Sequence, residues 1–334
     1  MQVTDRAQSD RSAPLVVALN LEWDDLGPEQ AALAEIGAAL VTLDQLQHNW
    51  HPRVVGLLSE GARVTAADLR RYPRLQIVSE FGTGYDGIDV VAAQQLGIAV
   101  TNVAGYCTDE VADHTLALAL TLLRRLDSLA QQARDGEWLR VDTGGVRRCA
   151  DLNWGVIGFG RIGRAVARRA VAFGFSVHAF DPQLAEHEVR RHGARPVTLA
   201  ELLKQADVLS IHAARTGRDD HMLDRRHLSL MKPGAYLINV ARGAFIDEDA
   251  LADALDAGAL AGAALDVMTE EPPALSNRLL LHPRALVTPH VAWYSDRAES
   301  ELRERGIRAV VDVVSGREPA DLVPELRART DSRR

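Results

Sequence analysis

Short apolar or β-branched runs alternate along the chain with Ala- and Leu-rich segments of helical period, the pattern of parallel strands joined by crossover helices. In the first third, Leu15–Leu19, Val54–Leu57, Gln76–Ser79 and Ala99–Thr101 read as strands, with helices near Glu29–Ile36, Ala66–Arg70 and Asp89–Leu96. Asp109 to Arg125 reads as one long helix, acidic at its start and basic at its end, as a helix macrodipole favours. After a polar stretch from Arg134 to Asp151 a second series begins. Its strands are Asn153–Ile157, Ser176–Phe180, Val208–His212, Ala235–Val240, Gly262–Val267 and Ala285–Thr288, as many as a complete doubly wound sheet. Asp296–Ser315 is helical again with no third core to join, so it is expected to pack back on the first domain and make that domain discontinuous. The predicted fold class is α/β.

Composition narrows the function classes. A chain of 334 residues is long enough for two domains, each with its own core. With 47% hydrophobic and 25% charged residues it is an ordinary globular sequence, neither disordered nor fibrous. A net charge of −8 provides no field to gather phosphate backbones or anionic lipid, which argues against nucleic acid and membrane as partners. Cys107 and Cys149 have neither the number nor the spacing of a disulfide framework or a zinc site, so no metal is expected and a reducing cytoplasm fits best. Met1–Pro14 lacks the apolar core of a secretory signal and reads as a frayed tail, and Arg327–Arg334 as a solvated charged one. The nearly apolar stretch Thr115–Leu123 falls well short of the ~18 residues that span a bilayer.

The strongest local signal is Gly158-Phe-Gly160-Arg-Ile-Gly163, which follows the apolar run Gly155–Ile157 and opens a helical segment. In that context Gly158 permits the tight turn, Gly160 lets the backbone approach a pyrophosphate, and Gly163 lets helix and sheet pack closely. The helix start then binds the anion, with Arg161 near enough to reach it. Asp181, at the end of Ser176–Phe180, stands where an acid would bond the adenosine ribose diol, and no basic residue follows to accept a 2′-phosphate. The cofactor expected is NAD(H) rather than its phosphorylated form.

Polar residues just past the carboxyl ends of strands are the candidates for chemistry, because the ligand crevice of an open α/β sheet lies there. Arg242 follows Ala235–Val240, Glu271 lies shortly after Asp266, and His290 follows Thr288-Pro289. A guanidinium to bind a carboxylate and polarise a carbonyl, an imidazole to donate a proton and a carboxylate to keep it charged are what reduction of a 2-oxo acid requires. Glu271 is expected to raise the histidine pKa. The loop Gly82-Thr83-Gly84, after the strand Gln76–Ser79, can offer backbone N–H groups to a second anion.

Four motifs carry a resemblance to the D-isomer-specific 2-hydroxyacid dehydrogenase family, from about Val54 to Arg317: Phe81-Gly-Thr-Gly-Tyr-Asp-Gly-Ile-Asp89, the glycine turn with Asp181, Asn239-Val-Ala-Arg-Gly243 and Thr288-Pro-His290. Tyr106–His114 and His290–Ser295 resemble the subgroup of the carboxy-terminal binding protein, an NAD-dependent corepressor. The resemblance implies two Rossmann-like domains, a doubly wound NAD-binding domain (108–296) inserted in a discontinuous flavodoxin-like substrate domain (1–107 with 297–334). It implies Arg242 as substrate binder, Glu271 as partner of the histidine and His290 as proton donor. It further implies cofactor contacts at Thr83, Gly158, Gly160, Arg161, Ile162, Gly163, Asp181, Ala213, Thr216, Val240, Ala241 and Asp266. Phe81, Gly82, Thr83, Gly84 and Trp293 are placed at the substrate, and a homodimer through the cofactor domains is the usual state of the family.

Three departures from the family pattern stand out. Many relatives carry Arg just before the glycine loop, where this chain has Glu80. Either Glu80 turns to solvent, or the substrate carries an amine or guanidinium that pairs with it. Asp151 replaces a Gly before the first cofactor-domain strand, a change expected to be silent because Asp tolerates left-handed geometry. Ala213-Ala-Arg-Thr216 lacks the usual Pro. Among the other histidines, His178 and His212 are expected to be hydrogen-bonded structural groups. The function expected is NAD-dependent interconversion of a 2-oxo acid and its D-2-hydroxy acid; the alternative is an NAD(H)-responsive interaction protein of corepressor type.

Overall fold

The computed structural model describes residues 12–21, 23–138, 146–215 and 221–331. The chain divides into two compact units, one formed by the stretches up to Tyr106 and from Ser295 onward, the other by Cys107–Tyr294.

The first unit is a five-stranded sheet of β1 (Leu15–Ala18), β2 (Ala39–Thr42), β3 (Val54–Ser59), β4 (Ile77–Glu80) and β5 (Ala99–Asn102), all parallel, in the order β2-β1-β3-β4-β5. That order is flavodoxin-like. Strand β2 was not among the predicted strands; it is only four residues long and starts shortly after the helix Gly27–Ala34, so its apolar run merges with the helical one. Leu15, Val17, Val41, Leu57, Val78 and Val100 face one core. The helix Asp296–Val314 covers the sheet as expected. A side chain at Gly56 of β3 would meet Val310, and the Ser79 hydroxyl donates to the Gly306 carbonyl at 2.8 Å.

Beyond that helix the chain does not trail off. Leu322 bridges antiparallel to Thr101 on the outer edge of β5, Val323 is fully buried in the core, and a helix spans Pro324–Asp331. The charged run from Arg327 continues this helix as far as Asp331, with Arg327 itself exposed.

The second unit is a seven-stranded parallel sheet: β6 (Asn153–Ile157), β7 (Ser176–Phe180), β8 (Arg195–Pro196), β9 (Val208–Ile211), β10 (Ala235–Asn239), β11 (Leu260–Leu265) and β12 (Ala285–Val287). The order β12-β11-β10-β9-β6-β7-β8 puts the topological switch between β6 and β9. Alternation divides the side chains between two cores: Ile157, Leu209, Ile211, Leu237 and Leu265 face one, Trp154, Val156, Val208, Ile238 and Ala264 the other. Both faces are covered, which is why these strands read as continuous apolar runs. The unpredicted β8 is a two-residue edge strand that ends in proline.

The long helix runs Thr108–Arg124, and Arg125, at φ +55°, breaks it from the next, Leu126–Arg134. Asp151 closes a 3-10 turn, Cys149–Asp151, and is not left-handed, so its tolerance there has a different basis from the one expected. Among the described residues no helix is long and apolar enough to cross a membrane.

Candidate active site

All seven strands of the second unit run the same way, so the glycine turn after β6, Asp181 after β7, Arg242 after β10, Asp266 after β11 and His290 after β12 share its carboxyl edge. Each fingerprint glycine has its own reason. Gly158 has φ +82°, and a Cβ there would lie 2.5 Å from the Ala213 nitrogen. A Cβ on Gly163 would lie 2.1 Å from the Gly158 carbonyl oxygen, so only glycine lets the helix Arg161–Ala172 sit this close to β6. Gly160 meets nothing within 4 Å. Its open side is the cradle a dinucleotide pyrophosphate needs, at the N-terminus of a helix long enough to have a useful dipole. Asp181 accepts from the Phe159 N–H at 2.8 Å and from the Gln183 N–H at 2.9 Å, which ties it to the turn it was expected to serve.

Of the remaining expected cofactor residues, Arg161, Ile162 and Ala213 fall around this turn. Arg161 is exposed at the first position of the helix, and Ile162 packs against the core. Ala213 lies against Gly158, while Thr216 lies outside the described residues. Behind Ala213, Nε2 of His212 lies 2.9 Å from the Ser210 hydroxyl, and burial pushes its pKa down to about 3. Its Nδ1 and that of His178 lack a hydrogen-bond partner among the described residues, so the expectation of hydrogen-bonded structural histidines holds for one ring nitrogen of His212 only.

His290 and Glu271 are paired. His290 Nδ1 lies 2.7 Å from Glu271 Oε2, with both side chains partly open, and the Met268 N–H donates to Glu271 Oε1 at 2.8 Å. Burial raises the Glu271 carboxyl, but the hydrogen bond and charge of His290, the Met268 N–H and the Arg242 guanidinium together outweigh it and hold the carboxyl below its ordinary value. The carboxylate therefore stays ionised.

Arg242 is brought to this pair by residues that the sequence reading did not select. Asn239, buried at the end of β10, donates to the Arg242 carbonyl at 2.8 Å and accepts from the Ala241 N–H at 3.1 Å. A Cβ at Gly243 would lie 2.0 Å from the Met268 carbonyl carbon, so the Arg242 loop rests backbone to backbone on the segment leading to Glu271. The guanidinium Nη1 donates to the Ala241 carbonyl at 2.8 Å. Gly243 stood in a quoted motif, and a glycine just past a strand is the available signal for such a close approach.

Asp266 has a role that its sequence position did not disclose. Its carboxylate accepts from the Thr288 hydroxyl at 2.6 Å, the Val291 N–H at 3.0 Å and the Ala292 N–H at 2.9 Å, and its carbonyl from the His290 N–H at 2.9 Å. His290 itself is left-handed at φ +53°, a conformation that costs a non-glycine residue about 1–3 kcal/mol and persists only where neighbours over-determine it. Asp266 is the neighbour that does so. His114, on the long helix, adds a contact at 3.2 Å to the Thr288 hydroxyl. Trp293 packs edge-on against Tyr294, with ring centroids 5.5 Å apart.

In the first unit, Glu80 is only 3% exposed, with Oε2 accepting from the Ser59 hydroxyl at 2.6 Å and Oε1 from the Gly61 N–H at 2.7 Å. Of the two alternatives for Glu80, the turn to solvent is overturned. Phe81 is also buried; its ring stands 5.7 Å from that of Trp23 and so close to Gly306 that a Cβ there would lie 2.7 Å away. Phe81 supports the loop from beneath. Gly82 and Thr83 are fixed through their carbonyls, which accept from the Val103 N–H at 2.9 Å and from Asn102 Nδ2 at 2.6 Å. Among the described residues no group of three or more His, Cys, Asp or Glu is placed to hold a metal.

Two α/β units, a dinucleotide-type glycine turn and an acid-held histidine with an arginine beside it define a nicotinamide-dependent dehydrogenase scaffold. The chain belongs to the D-isomer specific 2-hydroxyacid dehydrogenase family, whose NAD binding domain matches residues 116–292. It is 35% identical over 264 residues to a glyoxylate reductase of Thermococcus litoralis, covering 76% of this chain and 78% of the relative. It is 33% identical over 314 residues to the D-3-phosphoglycerate dehydrogenase of Bacillus subtilis, covering 94% of this chain but 57% of that longer protein. Among solved structures, a D-lactate dehydrogenase from Aquifex aeolicus complexed with NAD and lactic acid superposes with a TM-score of 0.85 at 29% identity, over 92% of this chain and 98% of the other. These relatives support the family and not the corepressor subgroup that two motifs had suggested.

Proposed function

We propose that the protein interconverts a 2-oxo acid and its D-2-hydroxy acid with NAD(H). The 2.7 Å pair of His290 and Glu271 carries this reading. With Nδ1 held by an ionised carboxylate, the ring is oriented so that Nε2 can give a proton to the carbonyl oxygen of the oxo acid and recover it in the reverse direction. Arg242 binds the substrate carboxylate and polarises the carbonyl through its planar donor set. Bound NADH supplies the hydride that reduces the keto carbon. Gly158, Gly160, Gly163 and the helix that follows would hold its pyrophosphate, and Asp181 its adenosine ribose. A carboxylate at Asp181 repels a 2′-phosphate by a few kcal/mol at an effective dielectric of about 20, which supports NADH over NADPH by about 10²-fold or more.

In this reading the loop Gly82-Thr83-Gly84 grips the substrate carboxylate, with Trp293 beside the substrate. Glu80 sets specificity: its Oε1 lies 3.3 Å from where a Gly82 Cβ would be, close enough to disfavour an oxo acid with a second carboxylate and to favour a neutral or cationic one. The homodimer implied by the family resemblance belongs to the same proposal.

The test is NADH oxidation, followed by absorbance, with small, aromatic, acidic and basic 2-oxo acids, repeated with NADPH, and the product resolved on a chiral column. Turnover of neutral or basic acids to D-products with NADH is expected. Tight NADH binding without turnover of any acid would overturn the enzyme reading in favour of a cofactor-responsive interaction protein.

A further inference from the structure

The C-terminal stretch does more than close the edge of the first sheet. The Asp321 carbonyl accepts from the Asn102 N–H at 3.2 Å, and the Val323 N–H donates to the Val100 carbonyl at 3.0 Å, so the stretch pairs with β5 along its free side. Arg305, on the helix Asp296–Val314, forks onto the Asp321 carboxylate at 2.7 and 3.1 Å and donates to the Ala104 carbonyl at 3.2 Å. From this pinned edge two attachments reach the glycine loop. Asn102 Nδ2 holds the Thr83 carbonyl at 2.6 Å, and the Tyr85 hydroxyl donates to the two oxygens of Glu325 at 3.1 and 3.2 Å. Gln94 Nε2 fixes the Glu325 carbonyl at 3.2 Å.

These attachments bear on how the loop presents its donors. In a trans peptide the C=O and the next N–H point in opposite directions. With the Gly82 carbonyl turned to the Val103 N–H and the Thr83 carbonyl turned to Asn102, the N–H groups of Thr83 and Gly84 are both directed away from β5. Two successive N–H groups aimed to one side are an anion nest. Burial, and after it the charge and hydrogen bond of Glu325, push the Tyr85 phenol up to about 12, so it remains a donor throughout the neutral range.

We propose that residues 320–327 are a positioning strap for this anion nest, attached through Asn102 and through the Tyr85–Glu325 pair. The inference rests on the reading of Gly82-Thr83-Gly84 as the grip on the substrate carboxylate. Glu325 and Asn102 act through the loop and are positioning residues. Loosening either attachment lets the two N–H groups wander, which weakens oxo-acid binding and leaves the His290–Glu271 pair untouched.

The experiment is steady-state kinetics of the full chain with glyoxylate and pyruvate as probes, on wild type, Tyr85→Phe, Glu325→Ala, Glu325→Gln, Asn102→Ala and the Tyr85→Phe/Glu325→Ala double variant. Loss of one hydrogen bond is expected to raise the oxo-acid KM about 3- to 10-fold, with kcat and the KM for NADH within twofold of wild type. The double variant should be no worse than either single one, because one bond is being removed twice. Glu325→Gln keeps an acceptor for the phenol and should return KM to near wild type. Unchanged oxo-acid KM in all variants would overturn the strap. So would a parallel loss of kcat, NADH affinity and melting temperature, which marks a merely structural role. If wild type reduces neither probe nor any other oxo acid, the proposed function falls and takes the strap with it; wild-type turnover with unmoved KM removes the strap alone.

Discussion

At the scale of single residues, the site is organised by groups that fix the backbone around the candidate chemistry. Asp266 is the clearest. Three donors from the His290 loop end on its carboxylate, and the left-handed backbone of His290 depends on them. Asp266→Asn would keep one acceptor oxygen and set an NH₂ against N–H groups, so the loop should relax. The expected result is a fall in kcat of about 10- to 10²-fold with His290 still in the chain, since misplacement of the order of 1 Å can cost that much; kcat near wild type would show that the loop holds itself. Arg242 and His290 were legible in the sequence because each follows an apolar run in a quoted motif, and Glu271 because it lies shortly after Asp266 at the end of another such run. Asp266 was legible as a site residue but not as a clamp, and Asn239 and Gly243 stood in a quoted motif without a role. Asp266 and Gly243 work across loops, where partners far apart in sequence meet and no spacing encodes that, while Asn239 bonds residues two and three positions on. Glu80 marks the limit more sharply: its type was visible as a departure, while its burial against Ser59 and Gly61 was not.

At the scale of elements, the glycine turn and its helix were read with their reasons, because tight turn, open approach and close packing each demand glycine for a local cause. That distinction yields a prediction. Gly160 has φ −70°, which any residue adopts, and open space beside it, so Gly160→Val should fold with an unchanged melting temperature yet lose NADH affinity by about tenfold or more as the approach to the pyrophosphate is filled. Isothermal titration with NADH decides it, and undiminished affinity would move the pyrophosphate elsewhere. Among the elements that escaped prediction, β2, β8 and the terminal helix Pro324–Asp331 are short or charged, and their places are set by tertiary partners such as Leu15 and Val100 rather than by their own pattern.

At the scale of the whole molecule, the two-unit α/β architecture followed from strand and helix counts, and the discontinuity of the first unit from one orphan helix. Acid stability is a property at this scale. His212 has its pKa pushed from 6.5 to about 3 by burial, and His178 is lowered for the same reason with the Arg195 charge adding to it. Below about 6.5 the unfolded chain takes up protons that the folded one refuses, so stability should hold above that pH and fall steadily towards about 3. The lowered carboxylates Asp207 and Glu271 add their loss only further down, once they too protonate. Urea midpoints between pH 8 and pH 4 should fall on acidification in wild type and less steeply in His212→Asn; equal slopes would discharge His212 from this role. The central claim, that His290 is the proton donor of a nicotinamide-dependent reductase, is tested most directly by His290→Gln assayed with the best oxo acid alongside an NADH titration. The predicted result is a kcat lower by about 10²-fold or more with NADH affinity unchanged; turnover near the wild-type rate would contradict it.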